Sequence, residues 1–176
     1  MTGRRLFKFL LVVFVTLLVQ STIGIDLTVF GAHPNLMLLL PIAAGIAGDA
    51  EEGAVMGFVA GIAADLLLPT PFGLSALVFC LVGFAVGAST GAVTREVWWF
   101  PPLVALAASA VAVMLYAVIG AVLGQEQFLR VDLAAIVAAV AVVNAILAAP
   151  AVRVAGWALR RASGDGARPS MAGGRW

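Results

Sequence analysis

GAVMGFVAGIAADLLLPTPFG, residues 53 to 73, sets glycine at every fourth position, Gly53, Gly57 and Gly61, and closes the row with an acid, Asp65. On an α-helix, positions four apart lie one above another, so the glycines and the carboxylate share one stripe of an otherwise apolar helix. A stripe without side chains admits a second backbone at close range. The acid at its end must find donors or a cation. Pro69, Pro71 and Gly73 then stop the helix and turn the chain.

The composition says what surrounds that helix. Of the 176 residues, 63% are hydrophobic and 11% are charged, and the mean hydropathy is +1.12. Soluble domains carry about 45–50% apolar and about 25% charged residues. These values describe an all-α integral membrane protein, long enough for one polytopic domain and too short for a separate catalytic domain beside it. The net charge of +1 is uninformative, because such proteins sort charge by side. The single cysteine, Cys80, lies in an apolar run and reads as a buried structural thiol, with no disulfide framework and no thiolate cluster.

Apolar runs punctuated by polar, Pro or Gly residues give six candidate spans, near 6–23, 35–48, 53–68, 73–94, 101–123 and 131–152. The first has the charged front of a signal peptide. Its apolar run from Leu6 to Ile23 is long for a cleavable core and no A-x-A site follows, so it is read as a retained helix. The second and third spans are short against the ~20 residues of a square crossing, which leaves a re-entrant hairpin as the alternative. Six spans put both termini in the cytoplasm with nine of the ten basic residues: Arg4, Arg5, Lys8, Arg95, Arg153, Arg160, Arg161, Arg168 and Arg175. Only Arg130 falls outside. Five spans would separate the two basic ends, whereas a hairpin would leave four spans and the same termini. The expected organisation is a multi-pass membrane domain over 1–161 and a disordered, Gly-rich cytoplasmic tail over 162–176.

Local signals agree with these boundaries. Asp49 and Glu52 have capping-box spacing at the start of the third span. Trp98, Trp99 and Phe100 form an aromatic belt before Pro101 and Pro102. The fragment AGIAGD at 44–49 returns as AGIAAD at 60–65, too short an echo to define a repeat.

A second glycine row, Gly83, Gly87 and Gly91, runs along the fourth span, with a weaker pair, Gly120 and Gly124, at the fifth. Both rows predict close helix contacts, with packing inside the bundle favoured over a partner or a second copy of the chain. Asp65 sits at the C-terminal end of its helix, where the macrodipole disfavours an anion. Two arrangements would compensate it: an ion pair with Arg130, or capture of the turn amides after Pro71. A contact with an outer partner or ligand is the functional alternative.

No catalytic constellation stands out, and none is expected. Asp49 and Asp65 fall at opposite membrane faces, too far apart to share a proton. His33 has no second ligand for a metal. Ser21, Ser75, Ser89 and Ser109 have no base at matching depth, and Gln20 and Asn144 read as interhelical hydrogen-bonding groups. The basic residues flank spans as orientation signals, so nucleic acid is not a partner and no cofactor is called for.

The run PNLMLLLPIAAGIAGDAEEGAVMGFVAGIAADLLLPTPFGLSALVFCLVGFAVG, residues 34 to 87, resembles the core of the bacterial rod shape-determining MreD family. It shows a proline-led second span, a short acidic turn, G-x-x-x-G leading to a helix-end Asp, a Pro/Gly turn and the next glycine-spaced span. The matching positions are Gly57, Gly61, Asp65 and Gly73. The resemblance implies a six-helix bundle similar to the substrate-binding subunits of energy-coupling-factor vitamin transporters. It further implies a non-enzymatic subunit of the cell-wall elongation machinery in the cytoplasmic membrane. Such a subunit would bind the bitopic protein MreC and, through it, a peptidoglycan transpeptidase and polymerase. The rival class is a vitamin-binding transporter subunit, for which the outer loops offer only Asp26, His33, Asp65, Glu126, Arg130 and Asp132 with few aromatics.

Overall fold

The computed structural model describes residues 3–23, 35–67, 71–90, 99–124 and 133–159. Among them run six helices, α1 (Gly3–Ile23), α2 (Leu36–Ala47), α3 (Ala50–Asp65), α4 (Leu74–Thr90), α5 (Phe100–Val122) and α6 (Leu133–Leu159). The fold class is all-α, as expected. Two helices, α5 and α6, are both long and apolar enough to cross a membrane.

Their ends follow from local chemistry. The Asn35 side chain accepts from the Leu38 amide to cap α2, and Gln20 Oε1 of α1 accepts from the Leu36 amide at 2.8 Å, tying the two helices together. Asp49 caps α3 by accepting from the Glu52 amide at 2.8 Å. Pro101 and Pro102 open α5, where a missing amide costs nothing. Gly124 ends it at a φ of +85°, a left-handed conformation suited to glycine.

The second helix is the axis of the bundle. Every residue from Met37 to Ile46 is buried, and α2 touches each of the other five helices. A helix apolar all round belongs in such a place. At 12 residues it is about 18 Å long, against a hydrocarbon core of about 30 Å. α2 and α3 are thus two separate helices joined through Gly48 and Asp49.

The outside is apolar. Phe14 of α1, Phe58 of α3, Leu77 and Phe84 of α4, Met114 and Val118 of α5, and Ile146 of α6 are all exposed, while Asp65, Ser75, Thr90, Ser109 and Asn144 are buried. That inverts the usual order of a soluble protein and fits a lipid surround.

Helix bounds differ from the expected spans: α1 begins at Gly3, ahead of 6, and α3 runs over Ala50–Asp65, ahead of 53–68. α6 continues to Leu159, beyond the expected end near 152, because Arg153 turns outward on the exposed face and interrupts the apolar run without interrupting the helix. The described part of α4 ends at Thr90, so Gly91 lies outside the described residues, as does the tail 162–176.

Candidate functional site: the glycine seam and its acidic end

α3 and α4 form the most closely packed helix pair. A Cβ built on Gly53 would collide with the Gly83 carbonyl, one on Gly57 with the Phe79 carbonyl, and one on Gly61 with Ala76 Cα. The seam therefore climbs α3 one turn for each turn it descends α4, as antiparallel helices in backbone contact must. The second glycine row joins it. A Cβ on Gly87 would strike the Asp49 carbonyl, and one on Gly45 would stand 2.8 Å from both Gly83 O and Gly87 N. Gly45, Gly53 and Gly83 thus meet where α2, α3 and α4 converge. Lipid offers no hydrophobic gain for helix association, so close packing of this kind supplies the attraction.

Asp65 closes the seam and is only 4% exposed. Its carboxylate accepts from the amides of Gly73 at 2.8 Å, Ser75 at 3.1 Å and Ala76 at 3.4 Å. These are the otherwise unpaired amides that open α4. The acid ends one helix and caps the next, so the favourable dipole of α4 offsets the unfavourable one of α3. Arg130, the other candidate partner, lies outside the described residues. Gly73 takes a φ of +97°, which lets the turn present its amide.

The remaining sequence candidates scatter. Asp49 caps the start of α3, sixteen residues before Asp65 at its end, a helical rise of about 24 Å. No proton can be shared over that distance. Ser21 and Ser89 donate to the carbonyls one turn back in their own helices. Cys80 is half-buried. His33, Asp26, Glu126 and Asp132 lie outside the described residues, while Gly120 is buried in α5.

Two buried polar links escape a reading of spacing alone. Asn144 of α6 donates to Ser109 Oγ of α5 at 2.9 Å, both residues being fully buried. Thr90 Oγ1 lies 3.1 Å from the Gly45 carbonyl of α2 and as close to two carbonyls of its own helix. Each polar residue in an apolar run signals a partner without naming it. Gly45 was also missed, since an isolated glycine shows no row.

Beyond the seam, α4 and α5 leave a groove of about 600 Å³, lined among others by Leu81, Phe84, Ala85, Val104, Ala108 and Val111. It is apolar and opens onto the exposed face of the bundle. The polar side chains in its lining, Ser89 and Thr90, both donate their hydroxyls to carbonyls one turn back in α4.

No curated protein and no solved structure matches the chain. The profile of the family described as rod shape-determining protein MreD matches residues 3–152, most of the chain and five of its helices in full. With a lipid-fitted exterior and an interior given over to packing, this chain belongs to the rod shape-determining protein MreD family.

Proposed function

We propose that this cell-shape-determining membrane protein is a non-enzymatic scaffold of the cell-wall elongation complex, acting by binding an MreC-type bitopic partner. The family match carries the reading and favours it over a vitamin-binding transporter subunit. The packing supports it. Helix pairs locked by glycine on backbone form a stiff body, and its buried polar groups hydrogen-bond across helices.

Because α4 already fills the glycine seam, a partner's span must sit elsewhere. We place it in the groove between α4 and α5, whose small residues Ala85 and Ala108 admit one helix while Leu81, Phe84 and Val111 flank it. Through that partner the scaffold engages the transpeptidase and polymerase indirectly.

The proposal includes six membrane crossings with both termini cytoplasmic, in a fold similar to energy-coupling-factor binding subunits. Lys8 near the start of α1 stands over the Trp157 ring near the end of α6, 4.6 Å from its centroid. That contact supports a common side for both ends of the chain's helical part, as an even number of crossings requires.

The test is a detergent pull-down of the tagged protein from its own host, with Ala85→Trp and Ala108→Trp variants alongside. Enrichment of the MreC-type subunit and transpeptidase, lost in groove variants that remain folded and abundant, is the expected result. Recovery of a transporter's energising subunits without wall enzymes would overturn the scaffold reading. Unchanged enrichment in the groove variants would overturn the placement of the partner.

A further inference from the structure

The beginning of α1 and the end of α6 bring together two basic stretches that are far apart in sequence. The Lys8 ammonium is half-buried over Trp157. Arg153 lies one helical turn before Trp157 on the same row and is exposed. Arg4 and Arg5 occupy the first turn of α1, one turn before Lys8, and the sequence continues from Leu159 into Arg160 and Arg161.

Around these cations the surface is apolar. Phe7 and Leu11 of α1 and Val154 and Trp157 of α6 are exposed by 67%, 41%, 46% and 49%. Among the described residues, no carboxylate forms an ion pair with Lys8 or Arg153. Arg153 is thus a turn further into the bundle than the Lys8–Trp157 contact, beside exposed Val154 and without an ion pair among the described residues. An exposed arginine at the edge of a bilayer needs an anion at headgroup depth.

We propose that this end of the α1 and α6 pair holds one anionic phospholipid, its phosphate between Lys8 and Arg153 and its acyl chains along the apolar faces beside them. The occupant must be both anionic and long-chained. The cations select the phosphate and net negative charge, while Phe7, Leu11 and Val154 contact hydrocarbon. Arginine suits the role because its planar fork donates two parallel hydrogen bonds to phosphate oxygens. Trp157 fixes the lysine and sits where an indole is most stable, at the boundary of apolar and wet layers. The site stands apart from the glycine seam and the α4–α5 groove, and it does not depend on which side of the membrane the termini occupy.

The test uses the full-length protein in mild detergent, incubated with phosphatidylglycerol or with phosphatidylcholine of the same chains, and read by native mass spectrometry. One retained phosphatidylglycerol per chain, with little phosphatidylcholine, is expected. Lys8→Met keeps the apolar contact with Trp157 and removes the charge; Arg153→Gln changes an exposed position. Each neutralisation should weaken retention about fivefold, the factor for about 1 kcal/mol per cation, and Arg153→Lys should restore part of it. Equal retention of the two lipids, or unchanged retention in folded Arg153→Gln protein, would overturn the proposal. Inorganic phosphate that raises the thermal midpoint as far as phosphatidylglycerol does would assign the site to a free anion instead of a lipid.

Discussion

The Gly73 amide donates to the Asp65 carboxylate at 2.8 Å, so the last residue of α3 anchors the turn that leads into α4. This single contact joins the two ends of the glycine seam's loop, and the amides of Ser75 and Ala76 extend it into the helix itself.

Removing the acid should therefore loosen α4 from its N-terminus. Asp65→Leu leaves three amides without an acceptor and is expected to cost about 1.5–3 kcal/mol, the range for hydrogen bonds to a charged group. Asp65→Asn retains one carbonyl and should cost about 1 kcal/mol. Unfolding of the detergent-solubilised protein, followed by helical circular dichroism, measures both. An Asp65→Leu protein as stable as the parent would refute the capping role.

The seam predicts a contrast between glycines. Gly57→Ala places a methyl group against the Phe79 backbone, where nothing flexible can yield, and should destabilise by about 1–3 kcal/mol through overpacking. At Gly156 an added Cβ would meet only Ala47 Cβ at 3.9 Å, an ordinary contact. There alanine should be neutral or stabilise by up to about 1 kcal/mol. The same unfolding assay ranks the two.

At Gly73 the obstacle is conformation instead of space. No atom lies within 4 Å of an added Cβ, yet φ is +97°. Gly73→Ala should cost about 1–2 kcal/mol, and Gly73→Asn less, since asparagine tolerates positive φ better. Equal losses for the two substitutions would argue against backbone strain as the cause.

The Asn144–Ser109 link can be weighed by a double-mutant cycle with Asn144→Ala and Ser109→Ala. Among the described residues Asn144 Oδ1 has no hydrogen-bond partner, so the pair is only half satisfied. The coupling energy should stay near about 0.6 kcal/mol and not exceed about 1.7 kcal/mol. A larger value would mean that Oδ1 is engaged by something further, such as a bound water.

Much of this was legible from spacing alone. Glycines four apart specify a smooth stripe wherever the helix lies, and the seam follows because α4 carries a matching row at Gly83 and Gly87. Asp65 was legible as a demand for compensation, and turn amides were one of the two ways to meet it. The sequence held less about what is distant. Asn144 and Ser109 are 35 residues apart, and no periodicity on α5 or α6 selects that pairing over another polar residue. The central position of α2 was hidden for a similar reason. A short apolar run reads as a weak span, whereas complete burial by five neighbours is a property of the assembled bundle.

The helices also differ in length across the bundle. α3 has 16 residues, whereas α5 has 23. At about 1.5 Å per residue α3 is roughly 10 Å shorter than α5. Leu66 and Phe72, at the α3–α4 turn, are 72% and 68% exposed, so even the turn beside the shorter helix favours hydrocarbon over water. A bilayer adapts its thickness around a short helix at a modest cost for each ångström of mismatch, so wherever α3 crosses, the lipid beside it would be thinner than the lipid beside α5.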